Sequence, residues 1–189
     1  MENNLERTRR VESILRKETD LVRWSDSKNL EISWEPRSKV IANYIPAGSC
    51  ILDLGCGSSL IEKYLDISCK YIPADLVSRD QRTIFCNLNE EVFPLDIVSA
   101  DIILMLGVVE YIFDVPSLFS RLSKLNKKII FSYCDTDTSN LRSFEERAAF
   151  GWVNAYSCDE IEALILKYHP LSISSFEIDN LQRGYIAVF

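Results

Sequence analysis

Histidine, closely paired cysteines, positive charge and long apolar runs are all scarce in this 189-residue sequence, and each shortage removes a class of function. There is one histidine, His169, and the six cysteines (Cys50, Cys56, Cys69, Cys86, Cys134, Cys158) form no CxxC pair. Zinc and iron–sulfur sites draw on closely spaced Cys and His ligands, so no metal site is expected. The cysteines lie singly in strand-like apolar runs, the usual habit of small buried hydrophobes in a reducing cytosol. Against 28 Asp and Glu stand 21 Lys and Arg, a net charge of −7. Polyphosphate partners are held by cations that displace counterions, so no nucleic acid partner is expected. No apolar run approaches the roughly 20 residues of a membrane span. The start, Met1-Glu2-Asn3-Asn4-Leu5-Glu6-Arg7, lacks the apolar core of a signal peptide. These features point to a soluble, cytoplasmic protein without a membrane partner. A chain of this length buries roughly 70% of its unfolded surface, enough for one proper core.

What is present is a change of pattern near residue 48. Before it, Leu5, Val11, Ile14, Leu15 and Leu21 recur among charges at helical spacing over residues 2–20, and a short helix is expected from Pro36 to Tyr44. After it, strand-like and helix-like runs alternate. Strands are expected at Cys50–Leu54, Cys69–Ala74, Thr83–Cys86, Ala100–Leu106 and Lys128–Tyr133. Helices are expected after Ser58 or Ser59 and over Val115–Leu125, Leu141–Phe150 and Asp159–Tyr168, with only a single turn or no helix between Asp75 and Thr83. Leu171–Ile178 and Gly184–Phe189 read as a closing antiparallel hairpin. The expectation is one α/β domain with a doubly wound, mostly parallel sheet, residues 1–47 forming a helical cap and 48–189 the core.

In such sheets ligands bind beyond the carboxyl ends of the strands, where the winding reverses. The first strand runs into Asp53-Leu54-Gly55-Cys56-Gly57, where two glycines permit a sharp turn and close backbone approach. Asp53 would repel a dinucleotide pyrophosphate and suits a ligand carrying an ammonium group. Asp75, 20 residues beyond Gly55, is placed to accept both hydroxyls of a ribose. Asn87 and Leu88 end the third strand, where a side-chain amide and a backbone can read an adenine, and Leu106-Gly107 end the fourth.

Together, Ile51-Leu52-Asp53-Leu54-Gly55-Cys56-Gly57, Asp75, Asn87-Leu88-Asn89 and Asp101 through Glu110-Tyr111 resemble the successive motifs of the class I S-adenosylmethionine-dependent methyltransferases. The resemblance covers about residues 36–135 and implies a Rossmann-like seven-stranded sheet with a reversed C-terminal strand. It implies that Asp53, Gly55, Cys56 and Gly57 border the methionine end of S-adenosyl-L-methionine. By the same resemblance Asp75 and Leu76 lie at its ribose, Asn87 and Leu88 at its adenine, and Leu106 and Gly107 at its sulfonium. Two departures stand out: Ser59 where many members have a third glycine, and Asn87 where an Asp is common.

Methyl transfer from a sulfonium needs alignment and dryness more than protein nucleophiles. Where the acceptor must lose a proton, Glu110 and Tyr111 after the fourth strand and Asp135 after the fifth are the candidate bases. His169, beside Pro170, reads as a helix-end residue. Trp34, Arg37, Trp152 and Asn154 are candidate acceptor contacts, because aromatic rings and arginines suit a polar ligand with a ring or an acidic group. A small acceptor, such as a sugar intermediate, is expected; the stretches Trp34–Tyr111 and Gly151-Trp152-Val153-Asn154 resemble methyltransferases of bacterial polysaccharide clusters. The protein would act as a monomer or homodimer. The alternatives are a catalytically silent methyltransferase-fold binding subunit and, third, a dinucleotide oxidoreductase, which Asp53 and the lack of a GxGxxG oppose.

Overall fold

The computed structural model describes residues 4–30, 32–90 and 99–189. Its seven strands are β1 (Cys50–Leu54), β2 (Lys70–Asp75), β3 (Ile84–Phe85), β4 (Ile102–Leu106), β5 (Lys128–Tyr133), β6 (Ser172–Glu177) and β7 (Arg183–Val188). They form one sheet in the order β3-β2-β1-β4-β5-β7-β6. β7 is antiparallel to both β5 and β6, and every other pairing is parallel. All five residues of β4 are buried, as a central parallel strand covered on both faces requires.

Alternation along the strands divides the core. Leu52, Leu54, Ile103, Met105, Ile129 and Phe131 pack on one face with Leu118, Phe119 and Leu122 of α4 (Val115–Ser123) and Ile161 and Ile165 of α7 (Cys158–Leu166). Ile51, Ile102, Leu104 and Ile130 pack on the other with Ile41 of α3 (Glu35–Ala42) and Ile61. Asp53 shares the parity of Ile51, so its carboxylate lies on the α3 side. The winding reverses between β1 and β4, which places the ligand crevice of such a sheet above Asp53 and Leu106.

The helices differ in detail from the periodicity. The helix expected over 2–20 spans Asn4–Leu15 (α1), residues 2 and 3 lying outside the described ones, and a separate α2 covers Leu21–Ser25. Lys17, at φ +54, turns the chain between them. After the glycine turn there is a five-residue 3-10 helix, Leu60–Tyr64, instead of an α-helix. The helix expected over Leu141–Phe150 is shorter, α6 (Phe144–Ala149), begun by the capping box of Ser143 with Glu146, and a separate four-residue α5 (Thr136–Ser139) precedes it, closed by Asn140 at φ +57. No helix occurs between Asp75 and Thr83, in keeping with the short spacing. The six cysteines are free thiols. Among the described residues no helix is long and apolar enough to cross a membrane.

Candidate functional site

A cleft enclosing about 1220 Å³, part of it open to solvent, lies over the carboxyl ends of β1 to β4. Its floor is built by the turn after β1. Gly55 N and Cys56 N both donate to Ala74 O, at 2.7 and 3.1 Å, which folds the chain tightly back over the end of β2. Gly55 has φ +77, and a Cβ there would stand 2.5 Å from Cγ2 of Val108. Only glycine meets both conditions. Asp75 then fixes the turn: its Oδ2 accepts from Gly57 N at 2.8 Å and its Oδ1 from Val77 N at 3.1 Å. Each carboxylate oxygen has two acceptor positions, so both oxygens retain one for a ligand. Ser59 sits in the left-handed region at φ +55, the conformation that a glycine adopts without strain.

Two further buried charges line the crevice, each with an atom that has no partner. Asp53 is 3% exposed. Its Oδ2 accepts from the Tyr71 hydroxyl at 2.6 Å, and its Oδ1 has no partner. Burial pushes this carboxyl up to about 6, against the opposing pull of the Tyr71 hydrogen bond and of Arg37. Arg37 is 8% exposed and lies across Gly107, whose missing side chain and φ of +69 make room for the guanidinium. Nη1 of Arg37 donates to Gln182 Oε1 at 3.2 Å, Nε has no partner, and no described carboxylate lies within ion-pair distance. Burial lowers its pKa, while Glu110 and Asp53 act in the opposite direction. Buried charges are ordinarily paired. An opposed carboxylate and guanidinium that attract without pairing, each with an orphaned atom, form a cradle for a zwitterion.

Most of the residues singled out in the sequence come together here. Asp53, Gly55, Cys56, Gly57, Asp75, Leu76, Asn87, Leu88, Leu106 and Gly107 line the cleft, as do Trp34, Arg37 and Tyr111. The Asn87 side chain is already engaged. Its Oδ1 accepts from Asn89 N at 3.1 Å and from the Thr19 hydroxyl at 3.3 Å, and its Nδ2 donates to Glu90. Tyr111 is fixed by Trp152 Nε1, which donates to its hydroxyl at 3.2 Å, and by the ring of Trp24, edge-on at 5.1 Å. Burial raises the Tyr111 pKa, so the phenol stays neutral.

Four candidates stand apart from the cleft lining, each for a visible reason. Glu110 is 1% exposed, its Oε1 accepting from Cys134 N at 2.9 Å, and burial raises its pKa. Asp135 is fully buried as the N-cap of α5, accepting from Asp137 N and Thr138 N, with Arg183 at 3.6 Å. Asn154 uses its amide within the fold, donating to Val109 O and Ile112 O and accepting from the Tyr133 hydroxyl. Trp152 is buried behind Tyr111, with the Arg147 guanidinium 4.9 Å from its ring centre. His169, at φ +53, ends the turn after α7.

Several cleft residues had drawn no attention in the sequence: Thr19, Asp20 and Arg23 from the N-terminal segment, and Arg79 after β2. Tyr71, the partner of Asp53, was also missed. Its signal was present, because β1 and β2 pair with Ile51 beside Tyr71, which puts Tyr71 and Asp53 on one face. That face is legible only once the strands are known to be neighbours.

No family model matches the sequence, and no curated protein sequence matches it. Solved structures do. A Nostoc punctiforme protein described as an O-methyltransferase superposes with a TM-score of 0.68 at 11% identity, over 89% of this chain and 60% of that one. Human N-acetylserotonin methyltransferase, solved in complex with S-adenosylmethionine, gives 0.65 at 15% identity, over 88% and 55%. A S-adenosylmethionine-dependent methyltransferase of Aquifex aeolicus gives 0.64 at 16% identity, over 87% and 97%. The fold is that of the class I S-adenosylmethionine-dependent methyltransferases. The chain thus spans somewhat more than half the length of the first two neighbours and nearly all of the third. This methyltransferase fold also serves a carbon methyltransferase, CurJ, at a TM-score of 0.62, so the architecture does not select the methylated atom.

Proposed function

We propose that the chain is a S-adenosyl-L-methionine-dependent methyltransferase that methylates an oxygen or nitrogen of a small-molecule acceptor and releases S-adenosyl-L-homocysteine. The observation that carries the reading is the pair of orphaned buried charges, Asp53 Oδ1 and Arg37 Nε, at the switch point of a methyltransferase fold. The cofactor ends in an α-amino acid, whose ammonium matches Asp53 and whose carboxylate matches Arg37. Asp75, with one acceptor position left on each oxygen, suits the two ribose hydroxyls. With the Asn87 amide committed to Thr19, Asn89 and Glu90, the backbone around Leu88 is left to read the adenine.

When bound, the cofactor supplies the methyl group and a sulfonium leaving group, so the protein is needed mainly for alignment and exclusion of water. Arg37 and Asp53 hold the amino-acid end, and Gly107 lets the guanidinium lie against the end of β4. The neutral Tyr111, fixed by Trp152, borders the acceptor side together with Trp24 and Trp34. Glu110 and Asp135 do not line this space, so neither serves as a base for the acceptor.

Thermal melting with S-adenosylhomocysteine tests the proposal. A ligand at one hundred times its dissociation constant adds about 2.7 kcal/mol, a rise of about 5–11 °C for a chain of this size. No rise with either S-adenosylmethionine or its demethylated product rejects the cofactor. The retreat of Glu110 and Asp135 from the cleft also favours a second reading, a silent binding subunit. Tight binding without transfer of labelled methyl to any small molecule of a cell extract would select it.

A further inference from the structure

Residues 7–30 roof the cleft without joining either apolar cluster of the core. None of the residues of α2 or of the 3-10 turn Ser27–Asn29 is buried. Among the described side chains of α1 only Ser13 is buried. Helices of twelve and five residues do not persist alone in water. What holds them is a set of polar contacts around the rim. Arg10 Nη1 donates to Ala149 O and Arg23 Nη1 to Phe150 O, two carbonyls at the carboxyl end of α6. Arg79 Nη2 donates to Trp24 O from the opposite rim. The Thr19 hydroxyl joins Asn87 and Asn89 at the end of β3. The guanidinium of Arg23 also lies 4.6 Å from the Trp24 ring centre, which in turn meets Tyr111 edge-on. The far end of the segment leads into α3, whose Ile41 is fully buried.

A segment with a single buried side chain, fastened at its margins and anchored at one end, is the part of the molecule that opens at least cost. We propose that residues 7–30 form a lid, latched by Arg10 and Arg23 on the end of α6, that unlatches to admit and release the nucleoside ligand. Closure brings Arg23 and Trp24 against Tyr111, so the acceptor side of the cleft is complete only with the lid down. The ligand arm of the test rests on the cofactor reading; the exchange arm does not.

Amide hydrogen exchange of the ligand-free protein, followed through low urea, tests the lid directly. Amides of residues 7–25 are expected to exchange at least a hundredfold faster than those of β4 and β5, with little dependence on urea, because they open locally. Exchange at the core rate with the core's urea dependence overturns the proposal. In the second arm the double variant Arg10→Met, Arg23→Met is compared with wild type by stopped-flow tryptophan fluorescence during displacement of S-adenosylhomocysteine. Release is expected to accelerate about tenfold or more, with core exchange unchanged. An unchanged release rate overturns the latch. Should S-adenosylhomocysteine not bind at all, the cofactor reading falls and the exchange arm alone decides the lid.

Discussion

Replacing Asp53 by Asn should make the ligand-free protein more stable and the ligand-bound protein weaker. The carboxyl titrates near 6 in the folded chain against 3.8 ordinarily, because burial penalises its charge. At about 1.36 kcal/mol per pH unit, holding it ionised at pH 7 costs about 3 kcal/mol of folding stability. Above pH 6 the group is charged in both folded and unfolded chains and the cost is fully present. As pH falls from 6 towards 3.8 the folded chain takes up a proton that the unfolded chain does not, and the cost disappears. Asparagine removes the charge and keeps an acceptor for the Tyr71 hydroxyl, but it buries an unpaired amide at a cost of about 1–2 kcal/mol. The net gain at pH 7 is about 1–2 kcal/mol, a rise in melting temperature of about 2–8 °C. That gain should shrink as the pH is lowered to 5. Affinity for S-adenosylhomocysteine should fall about 10–100-fold in calorimetry, the loss of one charge-assisted hydrogen bond. Wild-type affinity should itself decline below pH 6, where Asp53 takes up a proton, and the variant should lack that decline. A variant that melts no higher than wild type at pH 7, or that binds as tightly, refutes the account of Asp53 as a buried charge kept for a ligand.

Three further substitutions probe the neighbouring geometry. Gly107→Ala places a methyl group in the path of Arg37 at φ +69; a loss of about 2 kcal/mol in chemical denaturation is expected from the left-handed backbone alone, with more than tenfold weaker S-adenosylhomocysteine binding as the guanidinium shifts. Ser59→Gly relieves the φ of +55 and should raise stability by up to about 1 kcal/mol, read as a small rise in melting temperature with ligand affinity unchanged. Asp75→Ala removes the acceptor of Gly57 N and Val77 N as well as the ribose contact; binding should weaken by about 1–3 kcal/mol in calorimetry, and unchanged affinity would show that the ribose lies elsewhere.

The sheet was legible because its strands are short apolar runs closed by glycine, aspartate or asparagine, and a strand's outline depends on few residues beyond itself. The cleft floor was legible for the same reason: strand ends are local. What sequence spacing could not decide was the direction of side chains in the turn after β4. Val109, Glu110 and Tyr111 form a 3-10 turn with about three residues per revolution, so adjacent side chains point about 120° apart. One of the pair Glu110 and Tyr111 had to enter the core if the other faced the cleft. The backbone N–H of Cys134 took Glu110 inward, and Trp152 Nε1, arriving from 41 residues away, held Tyr111 at the cleft. Both selecting groups come from later elements that reach the turn only through the packing of β5 and the segment after α6. The same holds for Asp135, whose position after β5 suits a catalytic carboxylate as well as a helix cap, until Asp137 N and Thr138 N fold back onto it. A strand-end carboxylate can therefore serve a ligand only where it lines the cleft and keeps acceptor capacity after the backbone donors are served, and Asp53 and Asp75 meet both conditions while Glu110 and Asp135 stand apart from the cleft lining.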